Sequence, residues 1–299
     1  MPHAARVSLS RRLRATAAAF VLAAGLAPAA GARPVDGYAA ADPMVGTGGD
    51  GHTFPGATVP FGMIQLSPDT QMTDFRRSYR WAAGYQYGDG SILGFSHTHF
   101  SGSGHSDLGD VLLMPVAGEV KLDPGDPAQP RSGYRSRFSH ASEQAQPGYY
   151  AVTLDDYGVR VELTASARAG WHRYRFPAGE PAHVLLDLRP SIYDYDGKVL
   201  WSRLRVRADG TVSGYRETRG WAPGRQLYFA LRFSQPMRGH ALYDREQAVP
   251  YKGFKGPGTS PADTAAVEGK ALEGVFDFGA LQAPLLAKVA ISTVSEANA

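Results

Sequence analysis

Cysteine is absent from the 299 residues of this chain. Its absence excludes disulfide bridges, thiolate ligands for a metal and a cysteine nucleophile. Helical periodicity is also nearly absent beyond residue 40, and no stretch after the N-terminal segment is long and apolar enough to cross a bilayer. Hydrophobic residues at 43% and aromatic residues at 11% are nevertheless sufficient for a core, which excludes a disordered chain.

Acidic residues are lacking in the first 32 positions, which contain Arg6, Arg11, Arg12 and Arg14. Removing these four positive charges from the net charge of +3 leaves −1 for the remainder of the chain. The basic character of the chain therefore lies mainly in its N-terminus. For this reason we expect no nucleic acid binding.

The N-terminal segment has the three parts of a signal peptide. A basic region ends at Arg14, an apolar run extends from about Ala15 to Ala30, and Ala30-Gly31-Ala32 forms a small-residue cleavage site. An uncleaved membrane anchor is the alternative, but the apolar run is short and rich in alanine and glycine. We expect residues 1–32 to be a cleaved signal peptide, and the mature protein to be secreted or periplasmic and free of the membrane.

Patterns typical of β-strands recur along the rest of the chain. Residues 149–163 alternate in polarity and turn at Asp155-Asp156-Tyr157-Gly158, which predicts a hairpin. Residues 204–213 predict a second hairpin that turns at Ala208-Asp209-Gly210. Many short strands separated by turns predict an all-β fold, an antiparallel β-sandwich. Further short strands are expected over residues 183–188, 227–233 and 285–291.

A glycine-rich segment at residues 46–51 matches the dinucleotide-binding pattern G-x-G-x-x-G. That pattern binds phosphate only when a helix follows, because the N–H groups of the helix contact the phosphate. Here His52-Thr53-Phe54-Pro55 follows and cannot start an ordinary helix, so we reject dinucleotide binding. The glycines still indicate a close approach of the backbone to a ligand or to another part of the protein.

Two histidines, His97 and His99, are the densest chemical feature of the chain. In a strand, residues two apart project from the same face, so both imidazoles are expected together, with Ser101 behind them and Asp107 following. This spacing is compatible with a metal site, with two hydrogen-bonded histidines in a polar core, or with a cluster that faces a sugar. We favour the last, because imidazoles and hydroxyls suit sugar hydroxyls. Trp81 either belongs to the core or stacks on a sugar ring.

Three segments together resemble one protein family. The first is GTGGDGHTFPGAT from Gly46, the second includes GFSHTHFSG from Gly94 and DLGD from Asp107, and a weaker third begins at Gly214. Over about residues 40 to 298 the chain is similar to the N-terminal domain of glycoside hydrolase family 92, the exo-acting α-mannosidases. The first two segments are long enough to make the resemblance specific.

The resemblance implies a β-sandwich that packs on a C-terminal helical (α/α) barrel, with the active site between them. It also implies calcium-dependent, inverting hydrolysis of terminal α-mannosides, with the catalytic carboxylates and most calcium ligands in the helical domain. We therefore assign no catalytic residue here. We expect residues 33–292 to be the β-sandwich and residues 293–299 to begin a linker to that absent domain. The chain alone is expected to be inactive.

The substrate side of the active site is what the resemblance assigns to this chain. We expect one exposed polar wall that closes over the terminal mannose of a mannose-containing glycan. The alternative is a non-catalytic carbohydrate-binding β-sandwich module. The expected substrate-binding residues are His52, Thr53, Phe54, Trp81, His97, His99, Ser101 and Asp107.

Overall fold

The computed structural model describes residues 36–72, 78–102, 108–129, 131–246 and 263–299. The predicted signal peptide and Asp107 lie outside the described residues. The chain divides into a unit that ends at Ala40 and a second unit over Ala41–Ala299. In the first unit the described part contains one short helix, α1 (Gly37–Ala40). Across the described residues, no helix has the length and apolarity needed to span a membrane.

The second unit is built from short antiparallel strands, with two single-turn 3-10 helices, η1 (His140–Ser142) and η2 (Glu296–Asn298). The strands within the described ranges are β1 (Ala57–Thr58), β2 (Gln65–Asp69), β3 (Ser91–Ile92), β4 (Gly94–Ser96), β5 (Leu112–Ala117), β6 (Ser136–Arg137), β7 (Gln144–Gln146), β8 (Tyr149–Leu154), β9 (Val159–Ala165), β10 (Ala169–Arg175), β11 (Pro181–Asp187), β12 (Val199–Arg207), β13 (Val212–Thr218), β14 (Arg225–Phe233), β15 (Gly239–Asp244), β16 (Asp263–Gly269), β17 (Leu272–Ala280) and β18 (Leu285–Ser292).

Two large sheets form the body of the second unit. A seven-stranded sheet has the order β1-β2-β4-β5-β11-β17-β15, and a nine-stranded sheet has the order β16-β12-β13-β14-β18-β10-β9-β8-β7. A small third sheet pairs β3 with β6. One apolar core contains side chains from both large sheets, such as Leu66, Val184, Leu163 and Val289. The predicted all-β fold, an antiparallel β-sandwich, is confirmed.

Both predicted hairpins are present. Strand β8 pairs with β9 from Leu154↔Val159 to Tyr149↔Thr164, and β12 pairs with β13 around the predicted turn. In β9, Val159, Val161 and Leu163 are buried while their neighbours are less so, which is the period of two that the sequence pattern displays. Burial of alternate residues therefore fixes the register of these strands.

A buried arginine links the nine-stranded sheet to the loops at one end of the molecule. Arg216 on β13 is fully buried and donates to Asp110 Oδ1 at 3.1 Å, to Pro190 O at 2.7 Å and to Ser191 Oγ at 2.7 Å. Burial alone would raise the pKa of Asp110, but the charges of Arg225 and Arg216 outweigh it and lower that pKa below its usual value. The network fixes the segment that leads into residues 191–195, which lie at the candidate site.

Candidate functional site

The glycine-rich segment forms a loop, residues 46–54, here called the glycine loop. Thr53 N donates to Gly46 O at 3.2 Å, so the loop closes on itself. A Cβ atom at Gly51 would lie 2.3 Å from Gly46 O, so this crossing admits only glycine. The element that follows the loop is strand β1 and not a helix.

A second loop, residues 79–89, here called the aromatic loop, packs against the glycine loop. Gln86 Nε2 donates to Gly49 O at 2.9 Å, and Tyr87 N donates to Thr47 O at 2.9 Å. Gly84 within the loop has φ +80°, and a Cβ there would meet the Asp69 carboxylate at 2.2 Å. These contacts position the two loops as one unit.

Three rings meet where these loops join two further segments; we call His52, Tyr79 and Tyr193 the ring cluster. The His52 ring packs edge-on to Tyr79 with centroids 4.7 Å apart, and Tyr79 stacks on Tyr193 at 5.5 Å. Gly102 N donates to His52 O at 2.8 Å, which adds residues 97–102 to the assembly. Four chain segments therefore converge on a group of aromatic side chains.

Two residues of the ring cluster have a strained backbone, out of five non-glycine residues with positive φ in the described ranges. His52 has φ 51° and Tyr193 has φ 54°, both in the left-handed region that side chains other than glycine rarely adopt. Such residues cost on the order of 1–3 kcal/mol each and occur preferentially at functional sites. In addition, His52 Nε2 is buried without a hydrogen-bond partner among the described residues. Strain and an unsatisfied polar atom together mark this cluster as the candidate site.

The indole of Trp81, two positions after Tyr79 in the aromatic loop, is held in a fixed orientation. Its Nε1–H donates to Asp89 Oδ2 at 2.6 Å, and the same oxygen accepts from Thr70 Oγ1 at 2.8 Å. The Arg80 guanidinium lies 5.6 Å from the centroid of the indole. Trp81 remains partly exposed, so a rigid aromatic surface is presented at this end of the molecule.

Other predicted site residues are placed differently. Thr53 Oγ1 donates to Val45 O at 2.8 Å, so its hydroxyl supports the glycine loop. Phe54 is half-buried, with its ring centroid 5.2 Å from that of His99. Phe54 and the exposed Ser101 line a groove of about 620 Å³ together with Phe61. Asp107 lies outside the described residues.

His97 and His99 do not form an exposed wall, and that prediction is wrong. Strand β4 ends at Ser96, and the two histidines that follow are 0% and 2% exposed. The physical reason is that each ring forms hydrogen bonds inside the protein, and these bonds offset the free-energy cost of removing the imidazole from water. The sequence left open a second interpretation, two hydrogen-bonded histidines in a polar core. That interpretation describes their surroundings.

His97 belongs to a chain of hydrogen bonds between the sheets. Its Nδ1 lies 2.6 Å from Val111 O and must donate, because a carbonyl oxygen only accepts. Its Nε2 lies 3.0 Å from His172 Nε2, and His172 Nδ1 lies 2.9 Å from Tyr174 OH. Desolvation lowers the pKa of His97 to about 4 and that of His172 further, so both rings are neutral.

His99 has a separate set of partners. Its Nδ1 lies 2.7 Å from Gln65 O, and its Nε2 lies 2.8 Å from Asp69 Oδ1. Because Asp69 Oδ2 also accepts from Ser96 N at 3.1 Å, His99 helps to fix the end of β4. The ring lies beneath the aromatic loop, close to Gly84, so it supports the candidate site from below.

Several residues of the site were not predicted from the sequence. Tyr79 and Tyr193 are far apart along the chain, and no local pattern indicates that they stack. Asp89 was missed because its role depends on the folded position of Trp81. Asp194, next to Tyr193, is partly buried, and desolvation raises its pKa to about 6. Only long-range contacts, or an alignment of relatives, could have revealed these residues.

The expected calcium ion was tested against the donor groups present. Calcium takes six to eight oxygen ligands, among them carboxylates. Among the residues that the structure describes, no group of three or more histidine, aspartate or glutamate side chains is placed to hold a metal ion. The described residues therefore do not by themselves fit a calcium site, and we assign no step of a reaction to the ion.

Comparison with known proteins gives a consistent result. The model of the glycosyl hydrolase family 92 N-terminal domain matches residues 40–292. A family 92 α-mannosidase from Bacteroides thetaiotaomicron, solved in complex with mannoimidazole, is 38% identical with a TM-score of 0.76, and the match covers 88% of this chain and 33% of that one. A glycosyl hydrolase of the same family, ccman5, is 28% identical with a TM-score of 0.69 over 88% of this chain and 33% of its own.

A curated relative was also found. It is an uncharacterized secreted glycosidase of Arthroderma benhamiae, 32% identical over 184 residues, which cover 57% of this chain and 22% of the relative. The chain thus spans about a third of the solved structures that it matches, and less of the curated relative.

Proposed function

The chain belongs to glycosyl hydrolase family 92 as its N-terminal domain, and from this premise we propose that it forms the substrate-side wall of a secreted exo-acting α-mannosidase. The observation that carries the proposal is the ring cluster, where two strained residues and an unpartnered imidazole nitrogen meet at the junction of four segments. The mannoimidazole complex of the similar α-mannosidase supports mannose as the sugar. We propose a terminal α-linked mannose of a glycan as the ligand.

The chemistry of the ring cluster suits a pyranose. Sugar rings have an apolar face that stacks on aromatic side chains, and Tyr79 and Trp81 both present ring surface to solvent. His52 Nε2 is buried without a partner among the described residues, so it can bond a sugar hydroxyl only if the half-buried His52 ring turns outward. We propose His52, Tyr79 and Trp81 as the direct contacts. His97 and His99 would act as positioning residues, because their nitrogens already bond within the protein.

Hydrolysis with inversion needs a carboxylic acid that protonates the leaving oxygen and, about 6.5–9.5 Å away, a carboxylate that activates a water on the opposite face of the sugar. Near the ring cluster, Asp89 is bonded to Trp81 and Thr70, and Asp69 to His99 and Ser96. Desolvation raises the pKa of Asp194 to about 6, which suits an acid, but no carboxylate has been assigned as its partner base. We therefore propose that the acid and the base come from the part of the family's length that this chain does not span. We also propose that hydrolysis by the whole enzyme depends on calcium.

Secretion is proposed from the N-terminal pattern of basic, apolar and small residues. The similarity to a secreted glycosidase supports it. Mass spectrometry of the exported protein is expected to find Arg33, or a neighbour within a few residues, at the N-terminus. Exported protein that retains Met1 would contradict this part of the proposal.

The test uses a protein of the relatives' length that carries this chain as its N-terminal domain, here called the full-length protein. Its turnover of aryl α-mannoside, aryl β-mannoside and aryl α-glucoside is measured with and without a calcium chelator. The proposal predicts turnover of the α-mannoside alone, and its loss with the chelator. If the protein binds α-mannosides but hydrolyses none of the three substrates, the alternative of a carbohydrate-binding module is correct.

A further inference from the structure

A second aromatic pair lies at the far end of the aromatic loop. The rings of Tyr87 and His140 stack with centroids 4.0 Å apart and an interplanar angle of 12°. His140 covers one face of Tyr87, yet Tyr87 is still 46% exposed. Tyr87 is tied through its backbone to Thr47 of the glycine loop. The pair therefore belongs to the same two loops that carry His52 and Trp81.

The orientation of the His140 ring is fixed from two sides. Its Nδ1 bonds to the carboxylate of Glu143, and the Phe138 ring packs edge-on against it at 5.1 Å. Because a carboxylate accepts, Nδ1 carries a proton, which leaves Nε2 as the ring nitrogen that can bond a hydroxyl. Within the described part of the chain, the structure gives Nε2 no partner. The His140 side chain is 35% exposed.

Glu143 is held by groups other than His140. Its side chain is buried and accepts from Tyr85 OH at 2.9 Å and from Tyr150 OH at 2.6 Å. Burial, followed by the charge of Glu143, raises the pKa of both tyrosines, so both remain protonated donors. The Glu143 carboxylate therefore has its hydrogen-bond partners inside the protein. These bonds do not depend on the stacking of Tyr87 on His140 or on the exposed ring of Tyr87.

An exposed aromatic face beside an oriented polar nitrogen is what a pyranose needs: the ring stacks on its C–H face, and the nitrogen bonds a hydroxyl. We propose that Tyr87 and His140 form a second sugar platform, which binds the sugar unit next to the terminal mannose. The proposal rests on the function proposed above, because it assumes that the terminal unit lies at the ring cluster. Trp81 Nε1 donates to Asp89 Oδ2 at 2.6 Å, and Asp89 lies two positions after Tyr87, so the aromatic loop folds back and brings its two ends together.

The platform predicts which ligands bind more tightly. A monosaccharide contacts only the ring cluster, whereas an α-linked disaccharide also stacks on Tyr87. A hydroxyl of the inner unit forms a hydrogen bond with His140 Nε2 while Nδ1 keeps its bond to Glu143. The second platform therefore contributes affinity for longer glycans and leaves the binding of the terminal unit unchanged.

The test uses the 299-residue chain and two ligands, methyl α-mannoside and the methyl glycoside of an α-linked mannose disaccharide. Saturation-transfer NMR shows which sugar unit contacts the protein, and a titration gives each Kd. In the wild type, both units of the disaccharide are expected to receive saturation. In Tyr87→Ala, the inner unit loses its saturation and the Kd of the disaccharide rises about tenfold, while that of the monosaccharide is unchanged.

Matched variants separate the outcomes. Tyr243 is a similarly exposed tyrosine on β15, and Tyr243→Ala should alter neither Kd. Tyr87→Trp should restore binding of the inner unit, because it keeps an aromatic face. If the inner unit receives no saturation in the wild type, or if Tyr87→Ala and Tyr243→Ala behave alike, the platform is refuted. If, in the wild type, the inner unit receives saturation and the terminal unit does not, the proposed function is refuted instead.

Discussion

At the scale of single residues, burial decides what a histidine can do. His97, His172 and Tyr174 form a hydrogen-bonded chain in which each donor meets one acceptor, and Val111 O is the last acceptor. A proton on His97 Nε2 would place two N–H donors, His97 Nε2 and His172 Nε2, opposite each other, and a proton on His172 Nδ1 would leave a buried positive charge without a counter-charge among its bonded partners. The arrangement is therefore stable only while both rings are neutral.

This predicts a loss of stability in acid. The pKa of His97 is lowered from 6.5 to about 4, chiefly by desolvation. The unfolded state therefore binds protons more readily, so the stability is present above pH 6.5 and decreases as the pH falls towards 4. The group accounts for about 3 kcal/mol of unfolding free energy between pH 7 and pH 4, measured by urea denaturation at a series of pH values.

His97→Gln supplies the control for this pH dependence. The variant keeps a donor for Val111 O but has no titrating group, so the dependence of its stability on pH should be shallower than in the wild type. The informative quantity is the change of its unfolding free energy with pH, rather than its stability at neutral pH. Equal slopes in the two proteins would show that His97 is not buried as a neutral ring.

His97 and His99 show what a local pattern can and cannot reveal. The sequence correctly singled them out as polar residues in need of partners. It did not show whether those partners are a ligand or the protein, because Val111 O and His172 come from other segments of the chain. Burial depends on the whole sandwich, so it had to be seen in the structure.

At the scale of elements, one arginine connects a strand of the nine-stranded sheet to the loops behind the site. Replacing Arg216 with methionine keeps most of the side-chain volume but removes the partner of Asp110 and the donors to Pro190 and Ser191. Because a buried carboxylate would lose one of its two arginines, we expect a loss of about 3–5 kcal/mol in the free energy of unfolding. Chemical denaturation measures it directly.

Arg232 on the adjacent strand β14 is the matched control. Its side chain is 69% exposed and pairs with the exposed Asp209, so Arg232→Met should leave the stability nearly unchanged. The account of Arg216 as a buried connection fails if the two variants lose the same stability.

Elements differ in how far their sequences predict them. The hairpin of β8 and β9 followed from alternating burial and a turn of polar residues and glycine, since both signals are local. The glycine loop was also recognised, although only the structure shows that Gly51 crosses Gly46. The ring cluster could not be predicted, because Tyr79 and Tyr193 meet through the packing of separate loops.

At the scale of the whole molecule, the division of labour proposed here predicts that the chain alone does not hydrolyse α-mannosides. Positioned acid and base groups each contribute factors of about 10² to 10⁴ to the rate, and neither has been assigned to this chain. Purified residues 33–299 should show no turnover of an aryl α-mannoside, with or without calcium. Turnover comparable to that of the full-length protein would place the catalytic carboxylates within this chain.

The central claim is that the ring cluster, and not the buried histidines, contacts the terminal mannose. The most direct measurement compares kcat/KM for an aryl α-mannoside with the melting temperature in two variants of the full-length protein. His52→Asn removes the imidazole but suits the left-handed backbone at this position. It should reduce kcat/KM by about tenfold or more at an unchanged melting temperature, as expected for one lost substrate contact. His97→Ala should lower the melting temperature, and activity should fall only in step with it. Full activity in His52→Asn, or a stable but inactive His97→Ala, would contradict the account.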